Sequence, residues 1–222
     1  MADQDQKRTS EIALEAREAA GERLFSPSAA RNRDAIRDVF VKYIPAAGKV
    51  LEIGGGTGEH AVHLASALPD CRWLTGDPDA GSRRSIAAWI AQANLHNLSG
   101  PHAIDATAKD WGVEDAAPFD ALVSINMIHI APFEAAEGLF AGAGRLLGCD
   151  GRLFLYGPFS RGGVHTAPSN EAFDASLKSR DARWGIRDLE HDLAPLAQKN
   201  ALRLEVFVEM PANNLSIIFG KA

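Results

Sequence analysis

The residues best suited to chemistry lie in one glycine-rich segment and in an acidic residue that follows it. Residues 52–58 read Glu-Ile-Gly-Gly-Gly-Thr-Gly and come directly after the apolar pair Val50-Leu51. Glycine lets the main chain turn sharply and lets a ligand approach the backbone closely. A helix beginning after this turn would direct unpaired N–H groups toward it. Asp77 follows the next apolar run, so we expect two carboxylates, Glu52 and Asp77, beside the turn.

Two nucleotide-binding patterns fit this segment. Residues 56–61 match the dinucleotide pattern G-x-G-x-x-A, whereas residues 52–58 match the adenosylmethionine pattern of an acid, one apolar residue and G-x-G-x-G. Glu52 favours the second pattern, because a carboxylate at the end of a strand is poorly matched to a pyrophosphate and well matched to an ammonium and a sulfonium. In either pattern Asp77 can accept hydrogen bonds from ribose hydroxyls. The chain has no Tyr-x-x-x-Lys pair, which also favours methyl transfer over hydride transfer.

Three further polar residues follow predicted strands. Asp105 comes after a strand predicted at residues 103–104, and Asn126 and His129 come after one predicted at 121–125. The carboxyl ends of parallel strands meet in one crevice, so Asp105 and Asn126 are candidates for cofactor contacts, although Asp105 also fits a helix or turn cap. His129 is the candidate catalytic base, since imidazole titrates near neutral pH. The alternative for His129 is a packed or capping histidine.

Alternating strands and helices are predicted to position these residues. Strands are expected at 49–53, 72–75, 103–104, 121–125 and 152–156, and the helices between them at 59–68, 82–93 and 133–147. This alternation is typical of βαβ units in an α/β fold with a parallel sheet. Residues 202–210 and 215–219 alternate like two more strands. Their four-residue link, 211–214, can join only antiparallel neighbours.

The remaining segments are predicted to surround one domain that covers residues 1–222. Residues 1–45 are expected to form a helical cap, with one helix within 1–24 and a second from Ser26 to Pro45, and residues 46–222 form the core. Residues 157–188 are predicted to be a substrate-side insertion, followed by a helix at 189–199. Loops over a rigid scaffold often carry substrate sites. The candidates for substrate contacts are therefore Arg31, Asn32, Asn170, Asp181, Trp184 and Arg187. For the insertion residues, a salt-linked solvated surface is the alternative.

The overall composition favours an ordinary globular protein with a small-molecule partner. The chain carries a formal net charge of -6 over 222 residues, which argues against a nucleic-acid partner. No apolar run approaches the length of a membrane span, and the polar N-terminus lacks a signal core. The two cysteines, Cys71 and Cys149, form no metal-binding pattern. We expect a cytoplasmic protein without a metal site, and the sequence does not indicate its oligomeric state.

The chain resembles the class I, Rossmann-like S-adenosylmethionine-dependent methyltransferases. Within that class it is similar to a small methyltransferase-like family, defined by a domain of unknown function, whose human member is methyltransferase-like protein twenty-six. The stretches that carry the resemblance span about residues 26–222 and are 31–36, 50–64, 85–89, 126–130, 155–159, 169–170, 184–188 and 210–214. One departure is Gly54-Gly55, where the family tends to have Ala-Ser. This departure brings the chain closer to the general pattern of the class.

The resemblance implies a fold, a cofactor and several site residues. It implies a seven-stranded sheet in the order 3-2-1-4-5-7-6, with strand 7 antiparallel and helices on both faces. It also implies S-adenosylmethionine as cofactor, with Asp105 near the adenine amino group. Together with the glycine-rich turn, the cofactor residues are expected to be Glu52, Gly54, Gly56, Gly58, Asp77, Asp105 and Asn126. The prediction is methyl transfer to an unidentified small molecule; the alternatives are a nicotinamide-dependent oxidoreductase and a cofactor-binding module without activity.

Overall fold

The structure is a computed structural model that describes residues 16–221. The strands in this range are β1 (Glu18–Ala20), β2 (Arg23–Phe25), β3 (Ala47–Ile53), β4 (Asp70–Gly76), β5 (Leu98–His102), β6 (Phe119–Ile125), β7 (Leu147–Gly157), β8 (Phe159–Arg161), β9 (Val164–His165), β10 (Arg187–Asp188), β11 (Leu202–Met210) and β12 (Asn214–Lys221). The α-helices are α1 (Pro27–Tyr43), α2 (Glu59–Ala67), α3 (Ala80–Ala93), α4 (Phe133–Leu146), α5 (Pro168–Arg180) and α6 (Ala194–Lys199).

The centre of the fold is a seven-stranded sheet with the strand order β11-β12-β7-β6-β3-β4-β5. The five strands from β7 to β5 run parallel to one another. Strand β12 is antiparallel to both of its neighbours, β7 and β11. This confirms the predicted order 3-2-1-4-5-7-6 and the predicted antiparallel strand. The order reverses between β3 and β6, so the crevice expected at a switch point opens beside the glycine-rich turn.

Helices cover both faces of this sheet. On one face α1 begins at the N-cap Ser26, whose hydroxyl accepts from Ala29 N at 3.2 Å, and buries Ile36 and Phe40 completely. These two side chains are four residues apart and therefore lie on the same side of the helix. On the other face α4 buries Phe140, which packs edge-on against Phe219 of β12 at a centroid distance of 5.1 Å. The two apolar cores fix the strands whose carboxyl ends carry the site.

Residues before α1 form a hairpin where a helix was predicted. Strands β1 and β2 pair antiparallel, and Gly21 between them takes a φ of +63°, a conformation that favours a turn over a helix. The helix predicted within 1–24 is therefore wrong for the residues described, and residues 1–15 lie outside that range. The second predicted helix is confirmed as α1.

The third parallel strand lies earlier in the chain than predicted. Strand β5 covers Leu98–His102 rather than residues 103–104, and it includes Gly100 and Pro101, which disfavour strands in sequence-based prediction. Proline is tolerated here because β5 is an edge strand with only β4 as neighbour. Asp105 thus lies in the turn after the strand rather than at its last residue.

The insertion at 157–188 contains more structure than the predicted loop and helix. Strands β8, β9 and β10 form a small three-stranded sheet, and α5 lies between β9 and β10. The helix predicted at 189–199 begins as a π-helical turn, Leu189–Leu193, before α6. None of the helices in the described range is long and apolar enough to cross a membrane.

Candidate functional site

The glycine-rich turn is tied by its backbone to the end of β4. Gly54 N and Gly55 N both donate to Gly76 O at 3.0 Å. Gly56 N donates to Oδ2 of Asp77 at 3.0 Å. The turn and Asp77 therefore form one hydrogen-bonded unit across the ends of two neighbouring strands, as the sequence predicted.

At Gly54 and at Gly58 the turn has no room for a side chain. Gly54 has a φ of +75°, and a Cβ there would lie 2.6 Å from Cγ of Met127. Gly58, the N-cap of α2, has a φ of +94°, and its Cβ would lie 2.9 Å from Cα of Ile86. The turn consequently brings main chain, rather than side chains, to the start of α2, where unpaired N–H groups favour polar or anionic ligand groups.

Glu52 lies beneath the turn, near the end of β3, and is only 2% exposed. Its Oε2 accepts from the Thr75 hydroxyl at 2.6 Å. Burial raises the pKa of the Glu52 carboxyl from 4.5 to about 7, although the hydrogen bond from Thr75 opposes this shift. Among the groups in residues 16–221 that shift this pKa there is no cation, so a cationic ligand group nearby would stabilise the negative charge of Glu52.

Asp77 is the second buried carboxylate of the crevice. Oδ1 accepts from Asp79 N at 2.9 Å, in addition to the contact of Oδ2 with Gly56. Burial raises the pKa of Asp77 to about 6, while these two backbone N–H groups lower it. A carboxylate offers about four acceptor sites. Asp77 therefore keeps acceptor capacity for ligand hydroxyls after binding the two backbone donors.

Asp105 adopts the turn-cap arrangement that the sequence left open as an alternative. Its Oδ1 accepts from Thr107 N at 2.9 Å and from the Thr107 hydroxyl at 2.7 Å, and its side chain is exposed. The segment before it is joined to the crevice, because Asp77 N donates to His102 O at 3.1 Å. The location of Asp105 thus suits a ligand contact at the margin of the crevice.

Asn126 and His129 lie in the turn after β6. Asn126 has a left-handed backbone with a φ of 59°, and its N donates to Tyr156 O at 2.8 Å. His129 is 1% exposed, and neither of its ring nitrogens has a hydrogen-bond partner among the described residues. Burial lowers the pKa of His129 to about 3, so the imidazole is neutral at physiological pH. It packs edge-on against Phe159 at 4.8 Å.

The two candidates in α1 differ in their surroundings: Asn32 is partly buried and Arg31 is exposed. Oδ1 of Asn32 is 2.8 Å from Nε2 of His60, on the helix that follows the glycine-rich turn, and Asn32 also hydrogen-bonds the side chain of Tyr156 at the end of β7. Asn32 therefore bridges two elements that border the crevice. Arg31 is exposed and donates to the Ser28 hydroxyl at 3.0 Å.

Arg187 is built into the scaffold beside His129. It is 8% exposed, and its guanidinium donates to the backbone carbonyls of Ile128 at 3.0 Å and Ala131 at 2.7 Å. Gly185 N also donates to His129 O at 3.0 Å. These contacts hold the segment around Trp184 against the turn after β6, at the carboxyl edge of the parallel strands.

The other predicted acceptor-side residues are also engaged with the protein. Nδ2 of Asn170 donates to the Thr166 hydroxyl and to Asn213 O, both at 2.9 Å, which uses both of its donor hydrogens. Asp181 binds Arg183, and this side-chain hydrogen bond lowers the pKa of Asp181 to about 2. Trp184 is half-buried, with its N donating to Asp181 O at 2.9 Å.

Sequence reasoning missed several residues that shape the site. Thr75 binds Glu52, and Gly157 leaves space for the His129 ring, because a Cβ there would lie 2.4 Å from Nε2. Glu59 and Ser85 contact Thr57 within the turn. Glu59 and Thr75 are close in sequence to Gly58 and Asp77, which is the one signal that could have identified them. Among residues 16–221 no cluster of three or more His, Cys, Asp or Glu side chains is placed to hold a metal ion.

The chain belongs to a family described as "Protein of unknown function (DUF938)". The model of this family matches residues 23–221, which is nearly the whole of the described range. The family description carries no activity, so the site has to be interpreted from its own geometry.

Solved structures with the same fold include several methyltransferases. Mitomycin 7-O-methyltransferase MmcR has 16% sequence identity and a TM-score of 0.70, and the match covers 88% of this chain and 55% of MmcR. An O-methyltransferase family 2 protein from Planctomyces limnophilus in complex with apigenin has 19% identity and a TM-score of 0.68, over 90% of this chain and 64% of that one.

A third similar structure contains a cofactor product. CalO1, a methyltransferase in calicheamicin biosynthesis solved with S-adenosylhomocysteine bound, has 18% identity and a TM-score of 0.64, over 98% of this chain and 67% of CalO1. This chain spans about half the length of MmcR. At these identities the comparisons establish that this chain shares the Rossmann-like fold of these proteins.

Proposed function

We propose that this member of the DUF938 family is an S-adenosylmethionine-dependent methyltransferase that acts on a small-molecule acceptor. The observation that carries the proposal is the pair of buried carboxylates, Glu52 and Asp77, at the ends of two neighbouring strands on either side of a glycine-rich turn. We extend the proposal to kinship with the family of methyltransferase-like protein twenty-six, on the sequence stretches that resemble it.

The residues present suit this cofactor. Asp77 would accept from the ribose hydroxyls, and the backbone at Gly54, Gly56 and Gly58 would contact the cofactor; at Gly54 and Gly58 a side chain has no room. The negative charge of Glu52 would balance the cationic methionine end. The turn residue Asn126 would contact that end from the other side of the crevice, and Asp105 would contact the adenine. When bound, the cofactor supplies a methyl group on a sulfonium.

His129 is proposed to bind the acceptor at the atom that receives the methyl group. Its burial keeps the ring neutral, so one nitrogen carries a proton and the other has a free lone pair. Neither nitrogen is paired within the described residues. A hydroxyl or amine of the acceptor would donate to that lone pair, which would orient the acceptor. The sequence favoured His129 as a base because imidazole titrates near neutral pH, but burial lowers its pKa to about 3, so the ring would act through this hydrogen bond rather than by taking up a proton.

A small acceptor is supported by charge and by the acceptor side of the crevice. The net charge of -6 disfavours a polyanion. The segment around Trp184 lies beside His129 through the contact of Gly185 with His129 O, so a half-buried indole stands near the proposed position of the acceptor. Exclusion of water by this segment would favour displacement at a sulfonium.

Calorimetric titration tests the cofactor directly. Wild-type protein should bind S-adenosylmethionine and S-adenosylhomocysteine but neither NADH nor NADPH. Asp77→Asn should weaken binding by about 1.5–3 kcal/mol, the usual range for hydrogen bonds to a charged group, whereas Asp38→Asn on the exposed surface of α1 should leave it unchanged. Binding of NADH or NADPH alone, or equal affinity in both variants, would contradict the proposal.

Transfer of a radiolabelled methyl group to a pool of metabolites tests the activity. We expect labelled small molecules with wild-type protein and a loss of label with Trp184→Ala. The affinity of this variant for S-adenosylhomocysteine should stay within about twofold of the wild-type value, because substitutions at distant sites rarely affect one another strongly. Cofactor binding without any methyl transfer would instead indicate a module without activity.

A further inference from the structure

The β1–β2 hairpin is too small to be stable by itself. Each strand has only three residues, and β1 is fully exposed. An isolated two-stranded hairpin is marginal in water, so its contacts with the rest of the domain must keep it in place. Those contacts lead to α3 and to the glycine-rich turn.

On its outer side the hairpin is held by Trp89 of α3. Trp89 Nε1 donates to Leu24 O at 3.0 Å, and its ring packs edge-on against Phe25 at 5.0 Å. The Arg23 guanidinium lies 5.0 Å from the centre of the Trp89 ring. These contacts fix β2 on α3 without involving the turn.

On its inner side the hairpin is joined to the turn through one buried hydroxyl. Leu24 N donates to Oγ of Ser85 at 2.8 Å, and this Oγ donates to Thr57 O at 2.7 Å. Ser85 is completely buried. Its single proton and one lone pair are thus used to connect the backbone of the hairpin to that of the turn.

A second connection runs through a buried carboxylate. Oε2 of Glu59 accepts from Ser26 N at 2.6 Å and from the Thr57 hydroxyl at 3.0 Å. Glu59 is 5% exposed and is the first residue of α2. Thr57 is therefore held at its carbonyl by Ser85 and at its hydroxyl by Glu59, and each of these residues also holds the chain on the N-terminal side of α1.

From this arrangement we infer that residues 18–26 form a lid on the cofactor crevice, and that Ser85 and Glu59 are positioning residues that couple closure of the lid to the shape of the turn. The inference rests on the proposed function. A segment with few buried apolar contacts opens at low free-energy cost, so the hairpin can open while the sheet stays folded. Cofactor entry and release would then require the hairpin to open.

The test measures release of tritiated S-adenosylhomocysteine from the full chain, together with hydrogen exchange over residues 18–26. Ser85→Ala removes both bonds of the hydroxyl. Trp89→Phe keeps an aromatic ring and loosens the hairpin without contacting the turn. Ser99→Ala is the matched control, since the Ser99 hydroxyl donates to a backbone carbonyl, Trp73 O, on β4.

We expect the ligand to slow exchange over residues 18–26 in the wild type. Release should be about fivefold to a hundredfold faster in Ser85→Ala, because Leu24 N and Thr57 O both lose their hydrogen-bond partner. It should be about threefold faster in Trp89→Phe, from loss of one neutral hydrogen bond. Ser99→Ala should release the ligand at the wild-type rate.

Two results would contradict the proposal that residues 18–26 form a lid. One is unchanged exchange over residues 18–26 when the ligand binds the wild type. The other is a Trp89→Phe protein with faster exchange in the hairpin but a wild-type release rate. Opening of the hairpin would then not control release, and any effect of Ser85→Ala would come from loss of support for the turn. If the wild type binds no S-adenosylhomocysteine, the proposed function fails as well, and titration distinguishes that case.

Discussion

The two sides of the crevice treat their polar side chains in different ways. On the β3–β4 side, Glu52 and Asp77 are buried carboxylates with raised pKa values, and the positive charge of Arg17 partly offsets the shift of Asp77. On the β6–β7 side, Arg187 and Asn170 are equally buried, but their donors bind backbone carbonyls and a hydroxyl of the protein itself. The first side has electrostatic capacity left for a ligand, whereas the second has used most of its capacity to build the insertion.

This difference indicates which residues could bind an acceptor. Buried donors that are already paired contribute to stability, because the partner groups would be costly to leave unsatisfied. On the acceptor side the groups left for a ligand are the unpaired ring of His129 and the half-buried indole of Trp184.

Arg187→Ala should destabilise the fold rather than impair cofactor binding. Removal of the guanidinium leaves the carbonyls of Ile128 and Ala131 unpaired, and we expect a loss of about 3 kcal/mol in the free energy of unfolding. Urea denaturation measures it, with the exposed Arg203→Ala as control. A fully stable Arg187→Ala protein would contradict a structural role for Arg187 and would favour its predicted role in binding the acceptor.

The contribution of Glu52 to stability should fall as the pH rises from about 4.5 to 7, opposite to the contributions of His60 and His129, whose lowered pKa values favour the fold at higher pH. The folded pKa of Glu52, about 7, lies above the ordinary value of 4.5, so the native state binds more protons in this window and loses stability as the carboxyl ionises. The contribution of Glu52 is on the order of 2 kcal/mol. Glu52→Gln should remove this falling contribution, so that the difference in thermal stability between variant and wild type changes with pH between about 4.5 and 7. A difference that is constant with pH would show that Glu52 does not titrate there.

Asp105→Ala should have the smallest effect. Asp105 is exposed and caps its own turn through Thr107, so we expect a loss of about 0.5–1 kcal/mol in stability. We expect the affinity for S-adenosylhomocysteine to fall by less than in Asp77→Asn. Calorimetry on both variants sharpens the comparison within the cofactor side. A larger loss in Asp105→Ala would place the main recognition at the margin of the crevice.

The sequence predicted the structure around the glycine-rich turn better than that of the insertion at 157–188, for a physical reason. The glycine-rich turn needs particular residues, because Gly54 and Gly58 exclude side chains, and the strand order follows from alternation and from the short link 211–214. Such requirements are local and can be recognised in the chain. The prediction missed the position of β5 because Pro101 is unusual in a strand, and it missed the hairpin because a glycine such as Gly21 can end a helix as well as form a turn.

The acceptor side depends on contacts between distant segments. Asn170 binds Asn213, and Arg187 binds carbonyls more than fifty residues away, so neither partner can be inferred from spacing. The role of Asn170 as a structural clamp could not be separated from a role in binding by residue type alone. For both Asn170 and Arg187, contacts between segments distant in the sequence determine the role of the side chain.

The packing around Gly55 constrains which sequences the family can tolerate. A Cβ at Gly55 would lie 2.5 Å from Oγ1 of Thr75 and 3.2 Å from Oε2 of Glu52. Positions 55 and 75 therefore share one small volume and should covary. The family that the chain resembles tends to have serine at the position of Gly55. Such relatives should carry a smaller side chain at position 75, and the hydroxyl that binds the acid at position 52 would then come from the serine at position 55.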